Sequence, residues 1–205
     1  MLKCAAARFP AVPHRKAMLY TPLLALAALG GSATAPAQGA LAPAVVKACP
    51  NAQAQPGERS AKALGAATVC LVNKVRTSRG LPALRRTAHL NSFAGSFSRR
   101  MVRANFFSHD VPGGPTFAER ARSSAYARAA RRMSMGENLA WATAELATPA
   151  AIVDAWMKSP GHRSNILRRK FRDIGLGVVQ GAPEPGNLGG VAVTYVHAFG
   201  WRTLR

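Results

Sequence analysis

Acidic residues are scarce in this chain of 205 residues, in which eight Asp and Glu stand against 28 Lys and Arg, a formal net charge of +20. Such an excess of one sign attracts anionic polymers and surfaces over long range. The basic residues are spread along the chain in short clusters, and no DNA- or RNA-binding signature accompanies them. We therefore expect a lipid or an anionic cell-envelope component as partner, rather than nucleic acid, with a solvated basic surface as an equal alternative.

Apolar runs of transmembrane length are also missing. The run at residues 18–29 is too short to cross a bilayer. A basic stretch at residues 14–16 precedes it, and small residues ending at Ala35 and at Ala37 match the A-x-A pattern of a secretory signal peptide. We predict a signal peptide over residues 1–37, with a buried apolar helix as the alternative. The mature protein would be secreted or held in the cell envelope, with no membrane span.

Cysteine is rare, with three residues in the chain. Cys4 lies in the segment that cleavage would remove, which leaves Cys49 and Cys70 as an even pair. Disulfides persist in oxidising compartments, so the pair favours a bridge. On the chain-entropy model, closing a loop of about 22 residues would stabilise the fold by roughly 3 kcal/mol. Two buried free thiols are the alternative.

The length allows one domain with additional segments and argues against a second full domain. Residues 38–60 are rich in Ala, Pro and Gln without a sustained period, which predicts a flexible lead-in. The remaining residues, 61–205, form the predicted domain. No repeat with a fixed period occurs.

Apolar residues at helical spacing predict four helices, near residues 64–79, 87–104, 116–128 and 148–159. Arg76 falls on the predicted solvent side of the first. Thr116 with Glu119 has the spacing of a capping box, and Thr148 before a proline is a favoured helix start. Two strands are predicted at the end of the chain, over residues 174–180 and 191–199, with a hairpin loop between them. Helices followed by an antiparallel pair indicate an α+β fold.

Four short motifs stand in order along the second half of the chain: FSH at 107–109, GENLA at 136–140, AW at 155–156 followed by SPGHRSNIL at 159–167, and IGLGV at 174–178. In this order and at these spacings they resemble the CAP superfamily, also called SCP/TAPS, and within it the compact bacterial branch. The similarity covers about residues 70–201. Each motif alone is weak, and the combination is specific.

The resemblance implies an α-β-α sandwich, in which helices cover a mainly antiparallel sheet, with a large central cleft lined by histidines and glutamates. By position, His109, Glu137 and His162 match three cleft residues of the family. The second glutamate of many eukaryotic members aligns near Ser159 and is therefore missing. His197 stands where relatives commonly have Gln; we expect it to face the cleft or the surface, and it is not included in the site.

Two imidazoles and a carboxylate can bind a divalent cation such as zinc or magnesium, and catalytic zinc uses three protein ligands with one open position. His109 and His162 would be the metal-binding histidines, as the family resemblance implies. No His-Glu-x-x-His motif supports this interpretation independently.

Three functions follow from these residues. The first, which we favour, is binding of a ligand, cell-envelope component or metal in the cleft without turnover. The second is a metal-assisted, peptidase-like hydrolase with Glu137 as general base. The third is a basic interaction module in which a hydrogen-bonded cleft network only stabilises the fold. Enzymatic activity and oligomeric state are left open.

Overall fold

The computed structural model describes residues 2–6, 41–184, 186 and 190–204, and its elements follow one another along the chain. They are β1 (Leu2–Ala6), α1 (Pro43–Lys47), α2 (Ala61–Thr77), β2 (Arg85–Arg86), α3 (Ala88–Arg103), α4 (Phe117–Ser123), α5 (Ala125–Arg128), β3 (Ala130–Thr143), a 3₁₀ turn (Ala144–Ala147), α6 (Pro149–Lys158), α7 (Pro160–Ile166), β4 (Asp173–Gln180) and β5 (Ala192–Leu204).

The strands form one sheet in the order β1-β3-β5-β4-β2. All neighbours are antiparallel except β2 and β4, which pair in parallel over two residues. Successive residues of a strand face opposite sides of a sheet. Accordingly, Ala140 and Tyr195 pack with α2 and α6 on one face, while Leu139 and Val196 pack with α3, α4 and α5 on the other. The predicted α+β sandwich is confirmed.

Most predicted helices are confirmed, with Thr87, Thr116 and Thr148 as side-chain N-caps and the capping box formed by Thr116 and Glu119. The predicted third helix, however, is broken. Ser124 adopts an extended conformation that ends α4, and its hydroxyl caps α5. After α6 ends at Lys158, Pro160 starts α7, which the sequence analysis does not predict. Proline fits the first turn of a helix because its missing N–H would be unpaired there.

The prediction that Arg76 faces solvent is wrong. Its side chain is buried beneath α2. Its guanidinium donates to the carbonyl oxygens of Pro82, Ile166, Arg168 and Phe171. The arginine thereby joins α2 to the segment between α7 and β4. Helical periodicity cannot distinguish such a residue from a solvated one.

The longest strand, β3, has no counterpart in the sequence analysis, and β5 runs five residues beyond its predicted end. From Met135 to Thr143 every residue of β3 is buried. Because both faces are covered, the strand lacks the alternation of apolar and polar residues that marks a half-buried strand.

Two N-terminal segments are also ordered on the domain. Within the predicted lead-in, α1 is tied to α2 by the predicted disulfide between Cys49 and Cys70. Leu2–Ala6, part of the predicted signal peptide, pairs with β3, and the rest of that peptide lies outside the described residues. None of the described helices has the length and apolarity that a membrane span needs.

Candidate functional site

Glu137 lies at the centre of the candidate site. Its side chain is fully buried on the face of β3 that packs against α3 and α4. His109 Nδ1 lies 2.8 Å from Glu137 Oε1, and Arg120 Nη2 donates to the same oxygen at 2.9 Å. An ionised carboxylate only accepts hydrogen bonds, so the imidazole donates through Nδ1. The buried carboxylate thus has a cationic and a polar partner, as a charge removed from water requires.

Arg120, which the sequence analysis does not identify, is held in an aromatic box. Its guanidinium carbon lies 3.4 Å from the ring centroid of Phe97 and within 5.5 Å of those of Phe93 and Phe117. The same Nη2 that reaches Glu137 also donates to the carbonyl of His109, which fixes the loop that carries the histidine. No sequence signal marks Arg120, because its partners are 11 and 17 residues distant along the chain.

The neighbouring Asn138 points to the opposite face of β3, toward α7. Its amide donates to the carbonyl of His162, and its side-chain oxygen accepts from Asn165, which also reaches the carbonyl of Glu137. A Cβ at Gly136 would lie 2.8 Å from Asn165 Oδ1, so glycine permits this approach. The Gly-Glu-Asn segment therefore provides a close approach between β3 and α7, a buried carboxylate on one face of β3, and hydrogen bonds to α7 on the other.

His162 lies on α7 and is almost fully buried. Its Nδ1 is 2.7 Å from Ser159 Oγ, so the residue aligned with the family's second glutamate contacts the histidine directly. Ser159 is also the N-cap residue of α7, yet it makes no side-chain cap bond. Burial lowers the pKa of His162 to about 4; the Ala5 backbone opposes this shift and His109 adds to it. The imidazole is therefore neutral at pH 7.

Two of the three predicted residues, His109 and Glu137, are in direct contact, whereas the His162 side chain hydrogen-bonds to neither of them among the described contacts. Glu137 and His109 approach from one face of the sheet and His162 from the other, while Ala5 and Ala6 pair with Leu139 and Asn138. His109 Nε2 and Glu137 Oε2 are buried without a hydrogen-bond partner among the described residues, and the Ala5 backbone of β1 lies against the His162 ring. Buried polar atoms are nearly always paired, so the two unpaired atoms mark a polar position whose hydrogen bonds are incomplete.

The donor set does not fit a bound cation. No group of three His, Cys, Asp or Glu in the described residues is placed to hold one metal ion. Glu137 Oε1 is already engaged by His109 and by the cationic Arg120, which would oppose a second cation. The hypothesis that His109 and His162 bind zinc or magnesium therefore gains no support from the described residues.

His197 is neither in the cleft nor at the surface, contrary to the expectation. It is fully buried on the face of β5 that packs against α2 and α6, with its ring 4.8 Å from that of Trp156. Thr68 Oγ1 donates to the carbonyl of Gly65 and lies 2.8 Å from His197 Nε2. A hydroxyl has one hydrogen, so His197 donates to Thr68 and carries its proton on Nε2. Burial lowers its pKa to about 3.

Comparisons with known proteins agree with this architecture. The model of the family described as "CAP: Cysteine-rich secretory protein family" matches residues 69–196, more than half of the chain. The uncharacterized protein YkwD of Bacillus subtilis is 33% identical over 112 residues, which are 54% of this chain and 40% of that protein. The chain thus spans well under half the length of this relative.

Two solved structures share the fold. An extracellular protein containing a SCP domain from Bacillus anthracis has a TM-score of 0.51 at 23% identity, covering 72% of this chain and 45% of that one. An outer surface protein from Borrelia burgdorferi has a TM-score of 0.52 at 18% identity, covering 66% of this chain and 90% of that one. Given the extent of the family match and these shared folds, the chain belongs to the CAP family of cysteine-rich secretory proteins.

Proposed function

We propose that this CAP protein is exported and that its cleft of His109, Glu137 and His162 binds a ligand without turning it over. The observation that carries the proposal is the pair of buried polar atoms without partners among the described residues, His109 Nε2 and Glu137 Oε2. An unpaired buried polar group costs about 1–3 kcal/mol, so a ligand that pairs with it recovers that cost.

The chemistry of these atoms favours a ligand rich in hydrogen-bond donors. Glu137 Oε2 only accepts, and His109 Nε2 accepts in the neutral ring because Nδ1 carries the proton toward Glu137. Hydroxyl and amide N–H groups would satisfy both atoms. Sugars and peptides of the cell envelope carry such groups, and we take a cell-envelope fragment as the ligand class.

Catalysis is less well supported by the same geometry. Ser108 Oγ accepts from the backbone N–H of Asp110 and forms no bond to His109 among the described contacts. Ser159 does contact His162, yet a histidine with a pKa near 4 is a weak base at neutral pH. A general base works best with a pKa near the operating pH.

Export is supported by two independent observations. The order of basic, apolar and small residues over positions 1–37 fits a signal peptide. The solved neighbours are described as an extracellular protein and an outer surface protein. An envelope location would also bring the basic chain near anionic polymers.

Calorimetric titration of the full chain with a disaccharide-tetrapeptide fragment of peptidoglycan tests the cleft. We expect saturable binding that weakens about tenfold when His109→Asn and His162→Asn are combined, because both substitutions remove an imidazole of the cleft. Thr77→Asn is the control, since Thr77 is exposed at the end of α2 and lines neither the cleft nor the groove between α3 and α4–α5, and it should bind like the parent. Far-ultraviolet circular dichroism checks that each variant is folded.

Two results would overturn the proposal. If the parent does not bind the fragment, or if a folded double variant binds it with equal affinity, the cleft is not the binding site. Mass spectrometry of the fragment after incubation provides the second test, because any cleavage lost in the double variant would make the protein a hydrolase.

A further inference from the structure

A basic groove lies between α3 and the pair α4–α5, outside the cleft of His109, Glu137 and His162. Its volume is about 780 Å³, within the usual range of roughly 300–1,000 Å³ for small-molecule sites. Phe93 and Phe97 line it together with alanine, proline and serine side chains. The groove therefore offers an apolar surface with polar positions at its sides.

The charge of the lining has one sign. Arg100, Arg103, Arg120 and Arg128 all line the groove, and no aspartate or glutamate does. Arg100, Arg103 and Arg128 are exposed and have no ion pair among the described residues. The charge of Arg120 is balanced by Glu137, and the three exposed arginines create a positive potential around the concave surface that no acidic residue of the lining compensates.

Arg120 gives the groove a fixed cationic wall. Its side chain is 9% exposed, and the rings of Phe93, Phe97 and Phe117 hold the guanidinium in place. Only Nη2 is bonded, to His109 and Glu137; Nε is buried without a partner, and Nη1 donates no bond within the described residues. A buried arginine with free donors is unusual, because guanidinium groups out of water are normally paired.

From these observations we infer that the groove between α3 and α4–α5 is a binding site for an organic anion, a phosphate or carboxylate carried on a compact apolar or aromatic body. The exposed arginines would bind the anionic group, since guanidinium donors match the oxygens of both groups. The phenylalanine rings would cover the body. The groove is a second site that adjoins the cleft, since Arg120 lines the groove and also contacts Glu137.

Titration of the full chain with phenyl phosphate tests the groove, with inorganic phosphate, benzoate and phenol as comparison ligands. We expect phenyl phosphate to bind saturably and inorganic phosphate and phenol to bind more weakly, since each lacks one half of the recognised chemistry. Benzoate distinguishes a carboxylate source from a phosphate source. Combining Arg100→Gln with Arg103→Gln should weaken binding about tenfold or more, because two guanidinium contacts are lost.

The matched control removes the same charge elsewhere. Arg131 and Arg132 are exposed on β3 outside the groove, and Arg131→Gln with Arg132→Gln should leave the affinity within about twofold, as a general electrostatic effect is small at moderate salt. Amide signals in nuclear magnetic resonance locate the ligand, with shifts expected in α3 and α5 and not in α6. Three results would overturn the inference. They are an equal loss of affinity in both double variants, phenol binding as tightly as phenyl phosphate, and a lack of saturation with both phenyl phosphate and benzoate.

Discussion

Arg76 shows how one buried charge can organise the chain. Its guanidinium donates four hydrogen bonds to backbone carbonyls, three of them to residues 90, 92 and 95 positions further along the chain. The carbonyls of Arg168 and Phe171 also accept from the Phe171 N–H and the Arg172 side chain, whereas those of Pro82 and Ile166 have no other donor among the described contacts. Leaving a buried polar group unpaired is among the most costly effects of a substitution.

We expect Arg76→Leu to lower the free energy of unfolding by about 3–5 kcal/mol, because four charge-assisted hydrogen bonds would be lost and the buried Ile166 carbonyl would have no donor among the described contacts. Arg79→Leu, at an exposed position three residues along the same helix, should change it by about 0.5 kcal/mol or less. Urea denaturation of both variants measures the difference. Similar midpoints for the two would show that Arg76 is not a structural residue.

The buried histidines give the protein an acid-sensitive fold. Burial lowers the pKa of His197 to about 3 and that of His162 to about 4, below the ordinary value of 6.5. The unfolded chain therefore binds protons before the folded chain does. Stability is fully present above pH 6.5 and is lost as the pH falls from there toward 4 and then 3.

His197→Gln should weaken this acid sensitivity. The glutamine amide can still donate to Thr68 but does not titrate, so between pH 7 and pH 4.5 the variant should lose about 2–3 kcal/mol less stability than the parent. Urea denaturation at the two pH values gives the comparison. Parallel losses in parent and variant would assign the acid sensitivity to other groups.

At the scale of elements, β4 packs on α3 with almost no space between their backbones. A Cβ at Gly177 would lie 2.2 Å from the carbonyl oxygen of Ala94, and one at Gly175 would lie 2.0 Å from the carbonyl carbon of Leu90. Side chains cannot occupy such positions unless the helix moves away. The two glycines of the IGLGV motif therefore set the distance between helix and sheet.

Gly177→Ala should destabilise the fold by about 3 kcal/mol, because the methyl group would collide with the α3 backbone. Gly95→Ala is the matched control, because Gly95 lies on α3, the helix that packs against Gly177. Its Cβ would meet only the flexible Arg99 side chain, at 3.4 Å, and alanine in a helix should stabilise by up to about 1 kcal/mol. Thermal denaturation should move the two midpoints in opposite directions; a shared direction would contradict the packing argument.

The elements also show what the sequence can and cannot predict. α2 and α3 were predictable because each has one apolar face against the sheet and one polar face toward solvent. β3 was not, because its buried polar residues belong to side-chain networks with α4 and α7. The motifs single out His109, Glu137 and His162 as candidate residues. The contact of Arg120 with Glu137 could not be predicted, because it depends on how α4 packs against β3 in the folded protein.

At the scale of the whole molecule, charge is the dominant property. The chain carries 20 more basic than acidic residues, and most of the described arginines have no acidic partner within ion-pair distance. An exposed charge acts over the screening length of the solution, about 30 Å at 0.01 M salt and 8 Å at 0.15 M.

We expect the full chain to associate with phosphatidylglycerol vesicles at low salt and to dissociate steeply as salt rises, because the attraction is between net charges. Co-sedimentation across a salt series measures this, with phosphatidylcholine vesicles as the uncharged control. The His109→Asn, His162→Asn variant should associate like the parent. Association that is insensitive to salt would rule out a charge-driven surface.

The short strand β1 links the predicted processing of the chain to the accessibility of its cleft. Its backbone pairs with residues 138–142 of β3 and lies beside His162. Cleavage after Ala37 would separate β1 from the domain, expose five residues of unpaired strand edge, and remove the segment that covers the histidine. The mature protein would then present an unpaired strand edge next to His162.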